Sequence, residues 1–120
     1  MAKYLVQLSD TKKFCNLHYY HGSVNDIIKI FKKSSPEIVI HLASYTSYSH
    51  DYQNIDDIIN SNILFGAHIL EAMALTSVPY FINTGTYWQH YGGSSTYSPS
   101  CFYAATKQSF QDILKYYTDS

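Results

Sequence analysis

Apolar runs typical of buried strands alternate with helix-like segments along this chain, and this alternation constrains the fold more than any other feature. Residues 37–43, EIVIHLA, and 78–85, VPYFINTG, are nearly continuous apolar runs, as in strands buried on both faces. Residues 54–75 between them, and 101–117 after them, carry apolar side chains at helical spacing. Because strands that alternate with helices form parallel sheets with crossover connections, the predicted class is α/β.

Further elements are expected ahead of the first of these strands. Residues 4–8, YLVQL, and 17–20, LHYY, are predicted to be short strands. Residues 23–35 are predicted to form a helix that Ser23 or Asn25 caps. The sequence has no internal repeat, low-complexity segment or linker, so residues 1–120 are expected to form one domain.

Charge and cysteine content argue against several classes of partner. The net charge is −1 and the lysines are scattered, whereas nucleic-acid binding needs a clustered basic face. Neither a signal peptide nor a membrane span is expected, so the cytoplasm is the expected compartment. Cys15 and Cys101 lie far apart with no CxxC pattern, which indicates two reduced structural thiols. The six histidines are dispersed, and no metal site is expected.

Tyrosine is unusually frequent, with thirteen in the chain, and several lie in two predicted loops, 44–52 and 86–97. Aromatic, hydroxyl-rich loops suit the base and sugar of a nucleotide-like ligand. The alternative, left open, is that these side chains only cover the ends of a sheet.

Tyr103 stands four positions before Lys107 in the helix predicted over 101–117. At about 100° per residue, both side chains fall on or beside the apolar stripe of that helix. A lysine in this place needs a specific partner, and a tyrosine at this spacing is within reach. An ammonium beside a phenol favours the phenolate, which suits proton transfer to or from an alcohol or carbonyl. The apolar stripe of this helix consists of Phe110, Ile113, Leu114 and Tyr117. The alternative is that Tyr103 and Lys107 only pack together, since the same spacing also occurs where the stem of a lysine covers a tyrosine ring.

Two more polar residues stand at positions that need a partner. Asn62 falls within the apolar stripe of the helix predicted over 54–75, and a buried amide without a partner costs about 1–3 kcal/mol. It should therefore bond either neighbouring backbone or a group of an active site. Thr84 follows the second apolar strand, and ligands bind at the carboxyl ends of strands in open α/β sheets. Thr84 could equally be an ordinary turn residue.

Four segments, taken in order, resemble the extended short-chain dehydrogenase/reductases of the NAD-dependent epimerase/dehydratase family, which modify nucleotide sugars. The segments are PEIVIHLAS, SNILFGAHILEAM, FINTGT and YAATK. FINTGTYWQHY together with YAATKQSFQDILKYY is most similar to the CDP-abequose-synthase-like branch, reductases of keto-deoxysugars for bacterial surface polysaccharide (O-antigen). The resemblance runs from about residue 3 to residue 120 and implies a Rossmann-like doubly wound parallel sheet.

The same resemblance implies a catalytic role for three residues. Tyr103 would exchange a proton with the sugar oxygen, and Lys107 would hold the nicotinamide ribose and favour the Tyr103 phenolate. Thr84 would hydrogen-bond the reacting oxygen. The resemblance also implies a homodimer of the intact enzyme, formed through the long helix and the helix that carries Tyr103.

The resemblance also implies that eight residues contact NAD or NADP. One of them, Asn62, would support the site by bonding backbone near the catalytic groups. Ser23 departs from the acidic residue that the family often places toward adenine. Asp10 favours NAD whereas Lys12 and Lys13 favour NADP, so the choice of cofactor stays open. The expected cofactor residues are Ser23, Val24, Leu42, Ala43, Ser44, Asn62, Tyr103 and Lys107.

The predicted fold is incomplete. The first glycine of the chain is Gly22, so a glycine-rich phosphate loop is missing ahead of it. Matched to the family, residues 4–9 correspond to the second strand, so the first strand and the C-terminal substrate region are expected to be missing. The first strand is central in such a sheet. The chain alone is therefore expected to be marginally stable and to bind NAD(P) weakly.

The function predicted from the sequence is NAD(P)-dependent reduction of a 4-keto-deoxysugar carried on a nucleotide. Epimerisation and dehydration use the same three catalytic residues and stay open as alternatives. A non-catalytic truncated remnant and a flavodoxin-like signalling domain are the alternatives from other classes.

Overall fold

A computed structural model describes residues 15–119 of the chain. Its helices and strands, in chain order, are α1 Val24–Ser34, β1 Ile38–His41, α2 Ile55–Thr76, β2 Tyr80–Asn83 and α3 Phe102–Asp119. Helices and strands thus alternate, so the predicted α/β alternation is confirmed. Two short 3₁₀ turns, Tyr87–Gln89 and Tyr91–Gly93, lie between β2 and α3.

The two strands predicted ahead of α1 have different outcomes. The strand predicted at 4–8 lies outside the described residues. The strand predicted at 17–20 is wrong, because this segment forms no ladder with another strand. A strand is stabilised by its neighbours, and within residues 15–119 the sheet contains β1 and β2 alone. Tyr20 is held instead by its side chain, whose hydroxyl lies 2.7 Å from His68 Nδ1 on α2.

Helix α1 begins and ends where its sequence signals place it. The Ser23 side chain accepts a hydrogen bond from the Asn25 amide and is therefore the cap, which settles the choice between the two predicted residues. Asp26 lies in the first turn and two lysines lie in the last, as the helix dipole favours. The buried face of α1 is centred on Ile27.

Strands β1 and β2 pair in parallel, with Ile38 opposite Tyr80 and His41 opposite Asn83. The prediction that both strands are buried on both faces is wrong. One face is covered by helices, but no described element covers the other, which therefore stays in contact with solvent. The uncovered side chains and their exposed fractions are Ile38 47%, Ile40 57%, Tyr80 65% and Ile82 48%.

Helix α2 contains a π-helical segment, Asn60–Leu64, between two α-helical segments. Within it the Phe65 amide donates to the Asn60 carbonyl, five residues back, rather than four. By length and composition alone, α2 is apolar enough to cross a membrane. Its Ile58, Ile69 and Met73 side chains are buried within this domain, as in the central helix of a globular core.

The hydrophobic core lies between the covered face of the sheet and the three helices. Gly66 on α2 allows the Phe110 ring of α3 to lie directly against the α2 backbone, since a Cβ at this position would come within 2.9 Å of three ring atoms. Phe110 is fully buried as a result, as the predicted stripe of α3 requires. The central core residues are Ile27, Ile69, Leu70, Ala72, Met73 and Phe110.

Candidate active site

Tyr103 and Lys107 lie on the first two turns of α3, and both are buried, with exposed fractions of 7% and 2%. Within residues 15–119, neither side chain has a hydrogen-bond partner, and Lys107 has no ion pair. Burial lowers the pKa of Lys107, and the charge of the Tyr103 phenolate opposes this shift. The Lys107 Nζ atom keeps a small contact with solvent. A mostly buried ammonium without a counter-ion is still unfavourable for folding, so its presence needs a reason other than stability.

Asn62 connects the loop after β1 to the helix that carries Tyr103. Its Oδ1 accepts from the Tyr45 amide at 2.7 Å, and its Nδ2 donates to the Tyr45 carbonyl at 3.1 Å. Nδ2 also donates to Thr106 Oγ1 at 2.9 Å, and Thr106 in turn donates to the Tyr103 carbonyl at 2.7 Å. The expected bonding of Asn62 to backbone is thus present. Ser44 Oγ takes the remaining acceptor site of Oδ1 at 3.4 Å, so protein groups use all of the bonding capacity of this amide.

Thr84 stands directly after β2 and is exposed. Its Oγ1 donates to the His41 carbonyl, the last residue of β1, over 3.3 Å. Because His41 pairs with Asn83, Thr84 and the residues after β1 share the carboxyl edge of the sheet. This is the edge at which ligands bind in open α/β sheets.

The residues expected to line the cofactor occupy two places. Leu42, Ala43 and Ser44 follow β1 at the carboxyl edge, with Leu42 67% exposed and Ala43 exposed. Ser23 and Val24 lie at the start of α1, where the Ser23 hydroxyl is used for capping and Val24 packs against the core. The structure therefore brings Leu42–Ser44 together with Asn62 and Thr84, whereas Ser23 is committed to its own helix.

An aromatic pocket adjoins the Tyr103 ring. Trp88 contacts Tyr103 edge to face, with 5.8 Å between ring centroids, and contacts Tyr48 in the same way at 5.6 Å. Both tyrosine-rich loops thus meet at one tryptophan. The pocket has a volume of about 230 Å³, and its lining is Tyr48, Tyr87, Trp88, His90, Tyr91, Gly92 and Ser100.

Gln89 fixes the turn after Thr84 onto α3. Its Oε1 accepts from the Thr86 amide at 2.9 Å, while its Nε2 donates to Gln108 and Gln111 at 2.9 and 3.1 Å. The Thr86 side chain accepts in return from the Gln89 amide, which completes a capping box, and it also accepts from the Trp88 amide at 3.3 Å. Gln89 is 4% exposed, so the loop that carries Trp88 is anchored rather than loose.

Three features of the site were missed by sequence reasoning: the buried His41, the Gln89 anchor and the π-helical segment around Asn62. His41 lies within an apolar run, which gives no sign that its side chain needs a partner. The T-x-x-Q spacing of Thr86 and Gln89 is a capping-box pattern that could have been recognised. The π-helical segment has no comparable sequence signal, although such segments are frequent at functional sites.

The family model described as the NAD dependent epimerase/dehydratase family matches residues 4–120, nearly the whole chain. The chain belongs to this family. The buried tyrosine–lysine pair and the parallel strand pair are therefore parts of an epimerase/dehydratase-family domain, with the Rossmann-like fold predicted above. A search of curated proteins finds no match.

Solved structures of similar fold come from bacterial nucleotide-sugar enzymes. Two dTDP-4-dehydrorhamnose reductases match with a TM-score of 0.69 and 18% identity, one from Clostridium acetobutylicum and one, in complex with NADP, from Bacillus anthracis. The UDP-glucuronic acid 4-epimerase of Bacillus cereus, in complex with NAD, matches with a TM-score of 0.65 and 23% identity. The matches cover 79%, 79% and 82% of this chain but only 36%, 36% and 33% of those proteins. This chain of the epimerase/dehydratase family thus spans about a third of their length.

Proposed function

We propose that this chain carries the proton-transfer residues of an NAD(P)-dependent reductase that acts on a 4-keto-deoxysugar nucleotide. The observation that carries the proposal is Lys107, a residue that is 2% exposed and whose ammonium has no hydrogen-bond partner in the described chain, one helical turn after Tyr103. Burial of an unpartnered charge is unfavourable for folding. An unpartnered lysine charge is useful in an active site, where it can stabilise a tyrosine phenolate and bind a ribose hydroxyl.

The residues present fit one end of the cofactor. The unused ammonium of Lys107 and the segment Leu42–Ser44, which is exposed at Leu42 and Ala43, would hold the nicotinamide and its ribose. When bound, the nicotinamide supplies or accepts the hydride. The pyrophosphate has no corresponding loop in this sequence, because no glycine precedes Gly22.

In this proposal Tyr103 gives its hydroxyl proton to the carbonyl oxygen of the sugar as that oxygen gains negative charge. Lys107 stabilises the phenolate that remains. Thr84 Oγ1 now donates to the His41 carbonyl at 3.3 Å, a weak bond that it would exchange for one to the substrate oxygen. Asn62 keeps the turn of Tyr103 fixed through Thr106 during this transfer.

Reduction is preferred over epimerisation and dehydration because of the likeness of FINTGTYWQHY and YAATKQSFQDILKYY to the CDP-abequose-synthase-like branch. A place in O-antigen synthesis and a homodimer follow from the same likeness and belong to the proposal. The aromatic pocket at Trp88 supports a sugar-sized ligand next to Tyr103, since aromatic rings pack well against the apolar face of a sugar ring.

The test is oxidation of NADPH and NADH in the presence of CDP- and dTDP-linked 4-keto-6-deoxyhexoses. The chain is assayed alone and also fused behind the glycine-rich strand–helix unit and ahead of the C-terminal substrate region of the Bacillus anthracis reductase, since both parts are expected to be missing from it. We expect turnover in the fusion and a loss of about 10³-fold in its Tyr103→Phe variant. The matched control is Tyr97→Phe, which changes an exposed tyrosine of the loop before α3 and should retain activity. Equal turnover of Tyr103→Phe and the parent fusion would contradict the proposal.

A further inference from the structure

His41 is a buried histidine at the carboxyl end of β1 that the proposed reaction does not use. It is 2% exposed, and three aromatic rings surround it. The Phe110 ring lies edge to face at 5.1 Å between centroids, and the rings of Phe65 and Phe81 each lie at 5.9 Å. Histidine is seldom placed in such an apolar environment without a partner for each ring nitrogen.

One ring nitrogen has a partner, and that partner fixes the tautomer. His41 Nδ1 lies 3.2 Å from Asn83 Oδ1, on the residue opposite it in the sheet. A carbonyl oxygen can only accept, so Nδ1 carries the proton and Nε2 keeps a bare lone pair. Nε2 is buried and has no hydrogen-bond partner, and it is the one such side-chain atom in the part of the chain that the structure describes.

Lys107 is the complementary group. It stands three residues before Phe110 on the buried face of α3, and the Phe110 ring contacts His41. Its ammonium has three N–H donors and no partner within residues 15–119. Burial, the largest effect, lowers the pKa of the His41 imidazole, and the hydrogen bond to Asn83 opposes this shift. Among the described residues, Lys107 is the one charged group that acts on His41, and its charge lowers the pKa further. The imidazole is therefore kept neutral, and a neutral Nε2 is an acceptor.

We propose that His41 is a positioning residue for Lys107, whose ammonium donates through one buried water molecule to His41 Nε2. A water is required because the two groups are not within direct hydrogen-bond distance of each other. Buried waters typically bridge polar groups that would otherwise lack a partner, and here both ends of the bridge lack one. The bridge would link the ammonium, through Asn83, to the β2 end that carries Thr84. What Lys107 does in catalysis rests on the proposed function, but the hydrogen bond to His41 does not.

Nuclear magnetic resonance of the full chain tests the proposal without cofactor, substrate or turnover. The first measurement is the ¹⁵N spectrum of the His41 ring near neutral pH. We expect the neutral tautomer with the proton on Nδ1, and an Nε2 shift displaced in the direction that acceptance of a hydrogen bond produces. A proton on Nε2, or an Nε2 shift typical of a free lone pair, would overturn the proposal. This measurement needs no variant.

The second measurement is the titration of the Lys107 side chain in His41→Gln and His41→Phe, with the Lys115 resonance on the same helix as internal reference. Glutamine keeps a polar terminus near the position of Nε2, whereas phenylalanine keeps only the ring. We expect the Lys107 midpoint to fall by about one pH unit in His41→Phe, a tenfold loss of proton affinity, and to recover most of that loss in His41→Gln. A residue that acts only in packing would leave the two variants alike, and equal midpoints in both would reject the role.

Discussion

Asn62 joins helix α2 to helix α3 through a hydrogen bond of 2.9 Å from its Nδ2 to Thr106 Oγ1. The same side-chain amide accepts a hydrogen bond from the Tyr45 N–H and donates one to the Tyr45 carbonyl. Loop, long helix and the Tyr103 helix thus meet at one side chain, which is 1% exposed.

Replacement of Asn62 by leucine should lower the free energy of unfolding by about 3 kcal/mol, because it leaves the buried partners of the amide unpaired. Urea unfolding followed by circular dichroism measures the loss. Asn60→Leu is the matched control, since Asn60 is exposed in the same π-helical segment and should change stability by less than about 0.5 kcal/mol. Similar losses in the two variants would show that the Asn62 bonds do not stabilise the fold.

Gly66→Ala should destabilise the protein by about 1–3 kcal/mol, although alanine is normally the better helix former. The added methyl group would meet the Phe110 ring. Thermal unfolding of Gly66→Ala, Phe110→Leu and the double variant tests this. The smaller side chain should make room for the methyl group, so the double variant is expected to be more stable than the sum of the single effects predicts. Strict additivity would show that the two residues are not in contact.

Lys107→Met should stabilise the fold by about 1 kcal/mol near neutral pH while it abolishes any turnover. The reason is the pKa of Lys107, which burial lowers below the unfolded value of 10.5. Between these two values the unfolded chain binds more protons, so parent stability rises with pH through that window. Urea midpoints at about pH 7 and about pH 10 should therefore differ more in the parent than in Lys107→Met. A variant less stable than the parent at both pH values would contradict this account.

Tyr117 should stabilise the fold only below alkaline pH. Its hydroxyl donates to Glu71 Oε2 over 2.7 Å, and this bond, with smaller effects from burial and charge, raises the pKa of Tyr117 from 10.0 to about 12. Because the folded value is the higher one, the stabilisation is complete below pH 10 and is lost as the pH rises toward 12. Tyr117→Phe should cost about 1 kcal/mol or less at neutral pH, since the bond is exposed to solvent, and progressively less as the pH rises through about 12. Urea unfolding of the parent and of Tyr117→Phe at neutral and at alkaline pH measures this effect. Tyr80→Phe, which removes an exposed phenol hydroxyl of β2, is the control.

Isothermal titration calorimetry of the chain alone should show NAD and NADP binding weaker than about 1 mM, because the pyrophosphate finds no glycine-rich loop. The fusion with the glycine-rich unit should bind at least tenfold more tightly. Micromolar binding to the 120 residues alone would mean that another part of the chain holds the phosphates.

The sequence predicts helices better than strands in this protein, for a physical reason. A helix satisfies its own backbone, so the local signals at Ser23 and over 54–75 and 101–117 were sufficient. A strand depends on its neighbours, so residues 17–20 have strand-like composition and no ladder. The apolar runs of β1 and β2 predicted burial on both faces, yet whether a face is covered depends on other elements.

For the candidate site, the sequence predicted the polar residues that stand on apolar faces. Asn62 and Lys107 are buried as their helical positions required. What it could not predict is how Asn62 divides its bonds between Tyr45 and Thr106, since loop and helix meet only in three dimensions. His41 escaped attention because a histidine within an apolar run has no spacing that distinguishes it.

The wide turn at Asn60–Leu64 accommodates one residue more than a regular turn of α2. A regular α-helix made of the same residues would rotate its N-terminal portion by about 100° relative to its C-terminal portion. Ile58 would then point away from the interior while Ile69 stayed in place. Deleting a single residue from this stretch would instead leave a regular helix with both side chains still facing inward, so an aligned homologue with a one-residue gap here could keep the same interior.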